Sequence, residues 1–172
     1  FGVGGDDAND ADAVLAWANE VVAANPDYKV IVTTHAYQAS DGTRLAPGKS
    51  GFATNEKSGY YRQKDGEDIW NEFASLHENI IMVLSGHVGS KTIVKTESIG
   101  VHGNKVVELM VNPQEMDKKL YDNGYMMGGM VAMLYFSNDG NDVSVEWYST
   151  LRDQFYTVES QFSFDMSTVE LE

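Results

Sequence analysis

Val30-Ile31-Val32-Thr33-Thr34-His35 and, further along, Ile80-Ile81-Met82-Val83-Leu84-Ser85-Gly86-His87 are the stretches on which the fold turns. Each is a short, largely β-branched apolar run, the pattern of a strand buried on both faces. Each also ends, on its carboxyl side, in a histidine. In open α/β sheets ligands bind in the crevice beyond the carboxyl ends of the strands. Two imidazoles delivered to that rim by one sheet could share a metal ion, which makes His35 and His87 the candidate metal ligands.

The intervening chain supports a shared rim. A connection from about Ala36 to Asp65, rich in Gly, Ser, Lys and Tyr, is of a length usually kept for functional or mobile loops. Glu67 to about His77 then reads as an amphipathic helix with Ile69, Phe73 and Leu76 on one face. Strand, helical crossover and strand make a parallel unit, with both carboxyl ends at one edge. Upstream, Asp6-Asp7-Ala8-Asn9-Asp10 supplies cap residues for a helix. Its stripe is Val14, Trp17, Val21 and Val22, widened by Leu15 and Ala18, and Asn25-Pro26 stops it.

Beyond Thr92 the periodicity changes to two. Thr92–Ser98 and Lys105–Val111 read as a hairpin joined near His102-Gly103-Asn104. After an irregular stretch holding Tyr121 and Tyr125, Met130–Phe136 and Asp142–Tyr148 read as a second hairpin. Asn138-Asp139-Gly140 is its turn, and Gln154–Phe164 offers a further strand. The class is therefore α/β, as a single domain over residues 1–172.

Composition bounds what such a domain can do. The 172 residues suffice for one real core, and the hydrophobic fraction of 42% fits a folded protein. Twenty-six acidic residues against 12 basic ones give a net charge of −14, which repels nucleic-acid backbones and disfavours a nuclease. No apolar run approaches the roughly 20 residues of a membrane span. Without cysteine there is neither thiolate ligand nor cysteine nucleophile. The opening Phe1-Gly2-Val3-Gly4-Gly5 reads as the middle of a longer polypeptide.

A pair of imidazoles is not a complete site, because catalytic metals usually take three or more protein ligands. No third candidate adjoins either histidine in sequence. His77, at a helix end, reads as structural. His102 reads as a hairpin-tip residue and is the reserve metal candidate. Ser85-Gly86-His87 is not a nucleophile elbow. Gly48-Lys49-Ser50-Gly51 follows no strand, as a phosphate loop would. Tyr60-Tyr61-Arg62 could hold a phosphate or a ring, or be an exposed loop tip.

The order Ile31-Val32-Thr33-Thr34-His35, long loop, helix, Val83-Leu84-Ser85-Gly86-His87-Val88 resembles the C-terminal half of a calcineurin-like metallophosphoesterase. The resemblance covers about residues 12 to 150. The tail Gln161-Phe162-Ser163-Phe164-Asp165 resembles the chain end of a Gram-positive, often secreted branch. It implies a mixed β-sandwich flanked by helices, with a dinuclear centre of divalent Mn, Zn or Fe at the strand ends. His35 resembles the histidine after the penultimate metal-binding strand, and His87 the first histidine of a Gly-His-x-His motif. Both would bind the same ion. The reaction implied is attack of a metal-bound hydroxide on the phosphorus of a phosphomonoester or phosphodiester. The location implied is extracellular, at a Gram-positive cell surface.

Two departures qualify what this chain alone can do. Gly89 stands where the motif's second histidine would bind the other ion. The N-terminal Asp-x-His, Gly-Asp and Gly-Asn-His motifs are absent, and Gly5-Asp6 lies in a helix lead-in. The expectation is that the N-terminal part of the domain is missing and that the isolated chain hydrolyses phosphoesters poorly or not at all. Its partners would be the missing half or a swapped copy of itself, covering strand edges that otherwise stay open. The competing reading is a non-catalytic β-rich binding or packing module on a bacterial surface.

Overall fold

The computed structural model describes residues 10–46, 64–113, 129–156 and 158–166. The acidic lead-in at 6–9, the Gly48–Gly51 and Tyr60–Arg62 segments, and Tyr121 and Tyr125 lie outside the described residues. The architecture is mixed α/β: two four-stranded sheets stacked face to face, with helices over the outer face of the first.

The first sheet has the strand order β1 (Val30–Thr33), β2 (Ile80–Ser85), β4 (Lys105–Met110), β3 (Val94–Ile99). β1, β2 and β4 run parallel, and β3 returns antiparallel along β4. β1 and β2 are thus parallel neighbours, as the strand–crossover–strand reading requires. Their register skips Ile81, since Val30 pairs with Ile80 and Ile31 with Met82. β4 lies inside and is buried at every position, consistent with its apolar run.

Alternation along the strands divides the interior in two. Val32, Ile80, Val83 and Val106 face the helices, α1 (Asp10–Ala23) and α2 (Gly66–Glu72). Met82, Val107 and Leu109 face the second sheet and meet Val143, Val145 and Trp147. That sheet is built on β6 (Asp142–Ser149), which pairs with β5 (Met130–Phe136) on one side. On its other side β6 pairs with β7 (Gln154–Phe155) and β8 (Phe162–Asp165) in succession. The tail therefore adds two short strands instead of one.

Both helices depart from the stripes expected of them. α1 buries Ala11, Leu15, Ala18 and Val22, whereas Trp17 is 58% exposed and Val21 is exposed too. The small residues win because Ala11 and Ala18 let the helix lie close on the sheet, where an indole would hold it off. α2 ends at Glu72, and Ala74–Leu76 form a 3-10 turn. Ile69 and Phe73 are buried as expected, but the change of pitch leaves Leu76 40% exposed.

The connection after β1 is not a loose loop where it is described. Tyr37, Ala39 and Leu45 are buried, and Leu45 N–H donates to the Tyr37 carbonyl at 2.8 Å. Ala39 N–H reaches the Thr43 carbonyl at 2.8 Å, closing a tight hairpin over Gly42, whose φ is 85°. Gly66 seats this hairpin against α2, since a Cβ there would lie 2.1 Å from the Tyr37 carbonyl oxygen.

Candidate metal centre

β1 and β2 end at the same rim, and the chain carries its ladder one step further to place the two histidines. Thr34 N–H donates to the Leu84 carbonyl at 2.9 Å, and Gly86 N–H to the His35 carbonyl at 3.0 Å. His35 therefore continues β1 directly, while His87 must be turned back toward it. The turn lies in His87 itself, which takes a φ of 65°, in the left-handed region. Gly86 does not supply it: its φ is not positive, and a Cβ added there would meet only the Val111 oxygen at 3.8 Å. A non-glycine residue held left-handed costs conformational energy, of order 1–2 kcal/mol.

The result is a facing pair. His87 Nδ1 lies 3.0 Å from His35 Nε2, with ring centroids 4.8 Å apart and planes crossing at 72°. One of these nitrogens donates its proton and the other accepts. Burial, reinforced by the neighbouring His35, holds the His87 pKa below the ordinary histidine value. His87 is accordingly neutral at pH 7, as a ligand imidazole must be.

The donor chemistry fits a divalent transition metal. Two imidazole nitrogens on one tetrahedral ion, each bound at about 2.0–2.1 Å, stand about 3.3 Å apart. The existing 3.0 Å separation needs to open only slightly. The donating ring needs only to move its proton to its other nitrogen. The acidic surface favours a cation at the rim. The donor set is partial, however: among the described residues no three His, Cys, Asp or Glu side chains converge on one point. Gly89, half-buried beyond His87, offers no side chain.

The other histidines lie elsewhere. His102 caps the β3–β4 turn, at the amino end of β4 and so at the rim opposite His35 and His87. Its Nε2 donates to the Leu76 carbonyl at 3.1 Å, and Asn104 docks the same turn on the Ile80 carbonyl at 3.3 Å. The reserve candidate is thus not brought together with the pair, because a turn entering β4 must lie where β2 begins. His77 is structural: its Nε2 meets Asn19 Oδ1 at 2.7 Å, tying the 3-10 turn to α1.

A cluster behind the rim escaped the reading of the sequence. Glu108, 1% exposed on β4, accepts hydrogen bonds from Arg44 Nε at 2.9 Å, Tyr37 hydroxyl at 3.0 Å and Thr96 hydroxyl at 2.9 Å. Its burial and the Glu108 charge push the Tyr37 pKa far up, so the phenol stays protonated and donates. The available signal was a lone carboxylate inside Val106-Val107-Glu108-Leu109-Met110, which demands a buried partner.

Among known proteins, the chain is similar to the uncharacterized protein YvnB of Bacillus subtilis (strain 168), with 28% identity over 147 residues. The match covers 84% of this chain and spans only 10% of the length of that protein. No family model matches the chain, and no solved structure matches it.

Proposed function

We propose that this chain is part of a calcineurin-like, metal-dependent phosphoester hydrolase in which His35 and His87 hold one divalent ion. The observation that carries the reading is the pair of ring nitrogens 3.0 Å apart at the carboxyl rim of two parallel neighbouring strands. Mn, Zn or Fe all suit imidazole donors. When bound, such an ion would polarise a phosphoryl oxygen and lower the pKa of water from 15.7 toward about 7. The chain's own part is to present two imidazole nitrogens at fixed spacing. Remaining donors would come from a missing N-terminal half or from a swapped copy. The surface location is proposed on the resemblance alone.

Metal analysis tests this directly. The purified chain, equilibrated with Zn or Mn and then desalted, is expected to retain metal that His35→Ala and His87→Ala each lose. Equal metal in all three proteins would overturn the assignment. With Mn and an aryl phosphate, turnover by the chain alone is expected to be weak or nil. Robust turnover lost in His87→Ala would show that no further half is needed.

A second reading, a non-catalytic binding or packing module, is favoured by one observation: Gly89 cannot ligate, and only two donors converge among the described residues. Absence of any retained metal in the wild-type chain would select it.

A further inference from the structure

We propose that Glu108 is a positioning residue for His35. Its buried carboxylate, acting through Arg44 and Tyr37, sets the Tyr37–Leu45 hairpin that follows His35 and so fixes the backbone carrying the ring that faces His87. In its metal-binding arm the proposal rests on the reading above; in its geometric arm it does not.

Glu108 is tied on every side. Besides accepting from Arg44 Nε, Tyr37 and Thr96, it takes Arg44 Nη2 at 2.5 Å. Arg44 Nη2 also donates to Ser98 hydroxyl at 2.5 Å, and its guanidinium lies 3.9 Å over the Trp70 ring. Gln38 Nε2 donates to Thr96 hydroxyl at 2.6 Å and to the Gly42 carbonyl at 3.1 Å. Both arms of the hairpin are thereby pinned to β3 and β4. Thr96 pairs with Glu108, and Ser98 with Val106, so all the pins sit on one face of the sheet.

His35 lies between two anchors. On its amino side Thr34 N–H donates to the Leu84 carbonyl at 2.9 Å, and its own carbonyl takes the Gly86 N–H at 3.0 Å, which fixes it to the β2 end. On the other, only Ala36 separates it from Tyr37, whose hydroxyl is held by Glu108 at 3.0 Å. The backbone on both flanks is set, and from that fixed position the ring meets His87 at 3.0 Å.

Stability alone does not account for this cluster. Burying an ion pair costs several kcal/mol of desolvation per ion, and apolar replacements of similar volume are often as stable or more so. What an apolar pair lacks is direction. Four donor contacts converging on one carboxylate define a single placement of the hairpin. Groups that hold a metal ligand directly change affinity about 10–100-fold when removed, and Glu108 acts one step further out, through Tyr37.

The test uses imidazole nitrogen NMR and Co²⁺ affinity, measured by competition with a chromophoric chelator. Three variants are compared: Glu108→Gln, the apolar pair Glu108→Leu with Arg44→Met, and Val145→Ala as a softening control in the other core. Glu108→Gln and the apolar pair are expected to shift the His35 and His87 ring signals and weaken Co²⁺ binding about tenfold or more. Val145→Ala, with a comparable loss of melting temperature, is expected to leave both unchanged. Should Glu108→Gln fail to fold, the apolar pair carries the measurement. Unchanged ring signals in a folded variant, or equal shifts in Val145→Ala, overturn the proposal. If wild type binds no Co²⁺ but the ring signals still move, positioning stands and the metal reading falls.

Discussion

Glu108 is the side chain whose loss should be felt most. Truncation to Ala leaves the Arg44 guanidinium, its side chain only 14% exposed, with no carboxylate among the described residues nearer than that of Glu67 at 3.9 Å. Breaking a buried pair costs about 3–5 kcal/mol, at the lower end here because the guanidinium edge reaches solvent. In a chain of this length that is a fall in melting temperature of about 6–12 °C, read by thermal denaturation of Glu108→Ala against wild type. His77 makes a quieter demand. Burial first, then the nearby His102 charge, holds its pKa below the ordinary 6.5. The unfolded chain therefore takes up the proton more readily than the native one. Stability is full above about pH 6.5, falls as pH drops from there toward the folded pKa, and levels below it. Melting curves across that window should show this slope, and His77→Gln should reduce it to the part that His87, lowered for the same reason, contributes. Only one of the two was partly legible in the sequence. His77 was read as structural, though through a helix end and not through Asn19. Glu108 was overlooked because its partner, Arg44, lies in a connection with no periodicity to mark it.

Strands proved easier to place than the faces of helices. The β3–β4 and β5–β6 hairpins follow from alternation and turn residues, and their bounds lie within a residue or two of the expected ones. Alternation is a local property, and one buried face suffices to fix it. Helix α1 shows the opposite case, for Trp17 draws a hydrophobic stripe toward itself while close packing selects Ala11 and Ala18. The phase can be checked by a pair of substitutions. Leu15→Ala should cost about 2–5 kcal/mol, as a buried truncation does. Trp17→Ala, on the exposed side, should stay within about 0.5 kcal/mol. The reversed order in chemical denaturation would restore the original stripe. Gly66 is where α2 meets the hairpin, and a methyl group there would meet main chain on both sides, Tyr37 O at 2.1 Å and Leu45 N at 2.4 Å. Gly66→Ala should cost at least the about 1–3 kcal/mol of an overpacked core. Its signature should be lost protection from hydrogen exchange at Leu45 and Glu67.

The two cores of the molecule have a common wall: β2 and β4 send alternate side chains into both. A defect in either should therefore lower one shared melting transition, so Leu15→Ala and Val145→Ala should each give a single coincident unfolding curve by near-ultraviolet and far-ultraviolet dichroism. The rim was legible because parallel topology follows from a strand–helix–strand pattern, and it brought His35 and His87 together as expected. Their turning device was not, since nothing in Gly86-His87 says that the histidine and not the glycine takes the left-handed backbone. The same topology dictates an order of assembly. β3 and β4 are joined by a tight turn, as are β5 and β6, whereas β1 must wait for β2 across the whole crossover. Short-range closures are entropically cheaper and form first. Pulse-labelled exchange during refolding should thus find hairpin amides guarded before those of β1. A newly made chain would acquire its secondary structure before His35 and His87 meet, and on the proposed metal reading ion capture would mark the end of maturation instead of seeding it.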